Sequence, residues 1–144
     1  MRDLTNGKHK KALDWETLRL GIERCDPDLL LDFYAEDARL RIVNADAPHT
    51  SPFELSGKAE IAKHLRVTFG SETSHRLERE AAIGDDRMTF WEACEYPDGS
   101  RVLVETTLEV HNGRIVRQVD EVREPLAEGE NQDAQKPPLR NPRP

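Results

Sequence analysis

The chain of 144 residues has no apolar run of about 18 residues, so the sequence predicts no transmembrane helix. Its first eleven residues, Met1 to Lys11, lack the apolar stretch of a secretory signal. No basic stripe is present. The 21 Lys and Arg are interleaved with 28 Asp and Glu, for a formal charge of −7. That balance marks a solvated surface and argues against an extended nucleic-acid footprint. There is no glycine-rich phosphate loop, no Cys-x-x-Cys, and no His/Asp cluster at metal-ligand spacing along the chain. Neither a nucleotide cofactor nor a metal is implied. Only two cysteines occur, Cys25 and Cys94, on different predicted elements. Two reduced thiols in a cytoplasmic protein are the expectation. No internal repeat is found.

What remains is an ordered series of segments between Leu13 and Glu124. Residues 1–11 are polar and basic and read as a flexible arm. Residues 125–144 hold five of the nine prolines and almost no large apolar side chains. They bury too little to offset their ordering entropy and read as a disordered Pro-rich tail. One domain, 12–124, is left, with about 110 residues for a core of modest size.

The first helix is predicted over Ala12 to Arg24, with Trp15, Leu18 and Ile22 on one face. Asp26 is a good N-cap for a second helix, with Pro27 at its first position. Leu29, Leu30, Phe33 and Tyr34 supply its apolar face. Asp37 to Val43 reads as a strand, with Leu40 and Ile42 on one side. Asn44 to Pro52 form a loop, and Phe53 to Leu55 a short edge strand. Ser56 is expected to cap a third helix, striped by Ile61, Ala62, Leu65 and Phe69 and ended by Gly70. Four long strands follow: His75 to Ile83, Met88 to Tyr96, Arg101 to His111, and Arg114 to Arg123. Asp98-Gly99 and Asn112-Gly113 between them are hairpin signals. The class is α+β: a curved antiparallel sheet of four long strands plus short strands, wrapped on three N-terminal helices. The segment order predicts a cone with a central pocket.

The stretches Arg24-Cys-Asp-Pro-Asp-Leu-Leu-Leu-Asp-Phe-Tyr-Ala-Glu-Asp-Ala, Gly57-Lys-Ala-Glu-Ile, Pro97-Asp-Gly and Asn112-Gly-Arg-Ile-Val carry a resemblance. In order and spacing they resemble the SnoaL-like branch of the nuclear-transport-factor-2-like (cystatin-like cone) superfamily, over Leu13 to about Glu124. That superfamily includes polyketide cyclases, ketosteroid isomerases, dehydratases, epoxide hydrolases, oxygenase subunits and proteins with no chemistry. The resemblance therefore implies a small-molecule pocket more strongly than any one reaction. It implies cofactor-free cyclase, isomerase or dehydratase chemistry on an apolar carbonyl compound, or a non-catalytic binding or dimerisation module. It also implies a homodimer packed through the outer sheet face, where Trp91, Leu103 and Val119 would fit an interface.

Strand periodicity sorts the polar residues by face. Gln118, Asp120 and Val122 share one face of the last strand. Val104, Thr106 and Leu108 share one face of the strand before it. The resemblance implies that both sets look inward. Phe90, Glu92 and Cys94 oppose Trp91, Ala93 and Glu95, and the first set is expected to look inward, although the turn lengths leave the parity open. His75, Leu77 and Arg79 share a face of the first long strand.

Asp120 is the leading acid/base candidate, because a carboxylate on an apolar wall has its pKa raised by desolvation. The competing placements are solvent at a sheet edge, or an ion pair with a neighbouring arginine. Glu92 is a candidate partner carboxylate if its face is inward, and a surface glutamate if not. His75 is a candidate proton shuttle or a solvated strand-end residue. His49 lies in a loop that would serve as a lid, and His64 is expected on the solvated face of the third helix. Trp15, Leu18, Phe33, Tyr34, Phe90, Thr106, Leu108 and Gln118 are the expected walls and orienting groups of a ligand pocket, with core packing the alternative for the aromatic ones.

Several relatives' apparatus is missing. Leu18, Ile42 and Thr106 stand where the ketosteroid isomerases carry a tyrosine and two aspartates. No strand holds the Arg-x-Asp pair of the epoxide hydrolases. The two pocket histidines of the fungal dehydratases find only His75 as a strand candidate.

Overall fold

A computed structural model of the chain describes residues 12–47, 49–70, 73–84 and 86–124. The expected arm and tail lie outside the described residues. The elements are α1 (Trp15–Glu23), α2 (Pro27–Leu31), β1 (Tyr34–Asn44), β2 (Phe53–Ser56), α3 (Lys58–Phe69), β3 (Ser74–Gly84), β4 (Arg87–Glu95), β5 (Arg101–His111) and β6 (Arg114–Arg123).

Helix α1 begins after Asp14, rather than at Ala12, because Asp14 caps it. The carboxylate accepts the Thr17 N–H at 3.2 Å and the Thr17 hydroxyl at 2.7 Å. Cys25 takes the left-handed conformation, with φ of 54°, and turns the chain into α2. Asp26 caps α2 by accepting the Leu29 N–H at 3.2 Å, with Pro27 following as expected. At Gly21 a Cβ would meet Leu30 Cδ2 at 2.8 Å, so a larger residue there would have to displace the Leu30 side chain.

The second helix is shorter than its apolar pattern. It stops at Leu31, and Tyr34 already belongs to β1. The reason is a tertiary one. Ile115 N–H donates to Phe33 O at 2.7 Å, and Arg114 reaches Asp32 O at 2.8 Å. These contacts draw the chain into the sheet before the apolar run is spent.

The sheet has six strands in the order β2-β1-β6-β5-β4-β3. Strands β3 to β6 form the expected antiparallel meander. Strand β1 runs parallel to β6 and antiparallel to the edge strand β2, so the sheet is mixed. Asn112 and Gly113 both take positive φ, 55° and 79°, which makes the β5–β6 hairpin turn.

Helix α3 is capped differently from expectation. Gly57, not Ser56, is the N-cap, with φ of 91°, and no side chain caps the helix. The Ser56 N–H, one residue before the cap, donates to Glu60 Oε1 at 2.8 Å, so the glutamate reaches back past the N-cap position of a capping box. Gly57 N–H also donates to Ala38 O at 2.8 Å, fixing the helix start to β1. Gly57→Ala is expected to destabilise the fold by about 1–3 kcal/mol, because a Cβ strains that backbone region. Chemical denaturation of the variant checks it.

The core lies between the helices and the concave sheet face. Leu40, Ile61, Leu108 and Ile115 are each no more than 1% exposed. Each contributes roughly 1.5–3 kcal/mol of burial.

Candidate functional site

A cavity of about 1200 Å³ opens between the inner sheet face and helices α1 to α3. Leu18, Ile42, Leu65, Phe69, Phe90 and Leu108 are among the apolar residues on its wall. The polar side chains on the wall include Tyr34, His75, Glu92, Cys94, Thr106, Gln118 and Asp120. The inner faces of β5 and β6 are thus those expected. On β4 the set expected inward, Phe90, Glu92 and Cys94, lines the cavity.

Two polar groups stand out on that wall. The first is centred on Asp120, opposite Thr106 in the β5–β6 register and opposite Ile42 across β1. The Thr106 hydroxyl donates to Asp120 Oδ1 at 3.0 Å, and Gln118 Nε2 donates to the same oxygen at 2.9 Å. The Tyr34 hydroxyl donates to Gln118 Oε1 at 2.6 Å, which sets the orientation of that amide. Oδ2 has no hydrogen bond among the described residues, and the side chain lines the cavity. The carboxyl pKa is pushed up to about 6. Burial is the main cause, and the Glu92 charge adds to it. The Gln118 and Thr106 hydrogen bonds pull the other way. Burial and the two nearby carboxylates also raise the Tyr34 phenol, so it stays protonated.

The second group is one row along the sheet, where Glu92 stands opposite Val104 and His75 opposite Cys94. His75 Nδ1 lies 2.5 Å from Glu92 Oε2. The same nitrogen is 3.5 Å from Cys94 Sγ, which is 3.7 Å from Glu92 Oε2. The other ring nitrogen, Nε2, is 3.3 Å from Thr68 O, and the imidazole lies against Phe69 with centroids 4.4 Å apart. All three residues are buried. Burial and the adjacent Glu92 raise the Cys94 thiol. Both cysteines are free thiols.

Four expectations need correction. Trp15 and Phe33 are absent from the cavity wall. Trp15 packs against Phe90 with tilted rings, centroids 5.2 Å apart, and Phe33 belongs to the hydrophobic core cluster. His64 is not on the solvated face. It flanks the Ile61–Leu65 stripe, lines the cavity and lies 6.3 Å from the Phe53 ring, and burial lowers its pKa. Arg79 does not share the His75 face. The β3–β4 register shifts between Leu77 and Arg79, so Arg79 pairs with Trp91 on the outer face, its guanidinium 5.5 Å from the indole. His49 is exposed and off the cavity wall.

Sequence reasoning placed Glu92 and His75 among the candidates but left out Cys94. The signal was present: Cys94 is two residues from Glu92 on the same strand face. Its juxtaposition with His75 depended on the β3–β4 register, and two irregularities there hide that register from the sequence.

With this geometry in place, comparison with known proteins fixes the family. The profile of the SnoaL-like domain matches residues 16–118, and the chain belongs to that family. No curated protein matches the chain. Among solved structures it is similar to an NTF2-like protein of unknown function from Mesorhizobium loti. The TM-score is 0.65 at 23% identity, covering 75% of this chain and 86% of that one. It is also similar to a candidate ketosteroid isomerase from Kribbella flavida, with TM-score 0.62, 13% identity, and coverage of 88% and 87%. A de novo designed protein with a curved β-sheet matches with TM-score 0.60, 15% identity, and coverage of 81% and 88%. At these identities the likeness concerns the fold, which a designed chain also adopts. No helix among the described residues is long and apolar enough to cross a membrane.

Proposed function

We propose that the cavity is an acid/base site for an apolar carbonyl compound, with Asp120 taking a proton from a carbon next to the carbonyl and returning it elsewhere. The observation that carries this reading is the Asp120 carboxyl itself. It sits on a largely apolar wall with a pKa of about 6, and both hydrogen-bond donors are on Oδ1. Oδ2 is left for substrate. A base with its pKa close to the working pH is largely ionised yet still binds a proton well. Thr106 and Gln118 hold the carboxylate in place, and Tyr34 holds Gln118. Cyclisation, isomerisation and dehydration all begin with such a proton transfer, and the walls of the cavity choose among them.

The test is hydrogen–deuterium exchange at the α-carbon of a panel of apolar ketones in D₂O, followed by NMR. Accelerated exchange is expected for the unaltered protein, rising with pH through a midpoint near 6. Ligands that bind without exchange at any pH would instead support the second reading, a binding module of the same fold. The observation favouring that reading is the size and apolarity of the cavity, at about 1200 Å³ larger than most small-ligand pockets.

The reading includes a homodimer through the outer sheet face in a cytoplasmic protein. Trp91, Leu103 and Val119 are each partly accessible, and Arg79 and Arg123 lie 5.5 and 5.3 Å from the Trp91 ring. Sedimentation equilibrium is expected to give twice the chain mass, and Trp91→Glu to give the single chain.

A further inference from the structure

We propose that His75, Glu92 and Cys94 form a metal site on the cavity wall, suited to Zn²⁺, with its open coordination position toward the cavity.

Three donors of different chemistry, an imidazole nitrogen, a carboxylate oxygen and a thiol sulfur, converge within 4.8 Å of one another. Exposed acidic clusters are common and carry little meaning, but here all three side chains are buried, and all three line the cavity.

The directions of the groups separate this reading from a nucleophilic triad. In a triad the carboxylate holds one imidazole nitrogen and the nucleophile faces the other, so that a proton passes along the line. Here the carboxylate and the thiol both face Nδ1, at 2.5 and 3.5 Å. Nε2 is turned away, toward the Thr68 carbonyl at 3.3 Å. With Nε2–H donating to that carbonyl, the Nδ1 lone pair points at the other two donors. This is the arrangement that orients a metal-bound histidine from its far side.

The distances agree with a tetrahedral ion. With Zn–S near 2.3 Å and Zn–N or Zn–O near 2.0–2.1 Å, adjacent S and N or S and O donors lie about 3.6 Å apart. The observed separations from Cys94 Sγ are 3.5 Å to His75 Nδ1 and 3.7 Å to Glu92 Oε2. Only the Nδ1–Oε2 separation, 2.5 Å, is shorter than a tetrahedral edge. An ion between the two groups opens the pair by about 0.8 Å, to roughly 3.3 Å. Charge also balances, because one thiolate and one carboxylate neutralise Zn²⁺ in a largely apolar cavity. A mixed N, O and S set suits Zn²⁺ better than Mg²⁺ or Ca²⁺, which prefer oxygen alone. Three protein donors leave a fourth position for water or for the oxygen of a cavity ligand.

The test uses the full chain, stripped with chelator and titrated with Co²⁺ as the spectroscopic stand-in. One equivalent is expected to bind, with thiolate-to-Co²⁺ charge-transfer absorption and the visible bands of a tetrahedral ion, and Zn²⁺ is expected to displace it. Cys25→Ser is expected to keep the charge-transfer band and Cys94→Ser to lose it. A band that persists in Cys94→Ser, or no band in the unaltered protein, would overturn the site. Because a Cys94 variant can misfold, X-ray absorption on the Zn²⁺-loaded unaltered protein gives an independent answer. One sulfur and one imidazole in the first shell are expected. A shell of nitrogen and oxygen alone, as surface histidines and carboxylates would make, overturns the proposal.

Discussion

Asp120→Asn is expected to lower proton-transfer activity by about 10²- to 10⁴-fold while making the protein more stable at neutral pH. The amide is nearly isosteric with the carboxyl. Its oxygen still accepts from Thr106 and Gln118, so the local hydrogen bonds survive. What disappears is a charge that the apolar wall disfavours. The sign follows from the pKa, raised from 3.8 to about 6 in the folded protein. Below the unfolded value both states hold the proton, and stability is highest with respect to this group. Between about 4 and 6 the unfolded chain releases the proton and the folded chain retains it, so stability falls as pH rises. Above about 6 both states are ionised and the loss is complete, at roughly 2–3 kcal/mol. Asp120→Asn removes this slope. Thermal melts of both proteins at pH 4.5 and pH 8 check the claim. The variant's advantage is expected at pH 8 and to shrink toward pH 4.5. A variant less stable than the unaltered protein at pH 8 would mean that the carboxylate is held by an attractive charge.

The second large effect is at His75. His75→Leu in metal-free protein is expected to cost about 3–5 kcal/mol, because it strands the Glu92 carboxylate in a buried position. The His75 side chain is 1% exposed and that of Glu92 10%. Replacing both with leucine is expected to restore most of the loss, since an apolar pair of similar size needs no compensation. Urea titration of the two single variants and the double variant measures the coupling. Losses that simply add would show that the pair does not act as a unit.

The fold was legible in the sequence where local chemistry decides it. Asp26-Pro27 starts α2, Asn112-Gly113 turns the last hairpin, and the strand ends from Arg101 to Arg123 coincide with the turn residues. It was less legible where distant contacts decide. The apolar run through Phe33 and Tyr34 has helical spacing, yet the β6 start draws it into a strand. Likewise Ser56 has the right chemistry for a cap, but the Gly57–Ala38 contact moves the cap by one residue.

The site divides in the same way. Alternation along β5 and β6 places Thr106, Gln118 and Asp120 on one wall, because a regular antiparallel pair keeps its parity. The β3–β4 hairpin does not keep it, and neither the turn of Arg79 to the outer face nor the meeting of His75 with Cys94 follows from alternation. From the sequence, Tyr34 is a candidate ligand-orienting hydroxyl. The structure gives that hydroxyl to Gln118, one step back from the carboxylate.

The Asp120 carboxyl pKa, measured in the metal-free protein by NMR titration of its side-chain carbon, tests the central claim most directly. Asp120→Asn supplies the assignment. A midpoint near 6 is the predicted result and places an ionisable base on a dry wall. A midpoint at or below the ordinary value of about 3.9 would contradict it and leave the cavity as a binding site without its base.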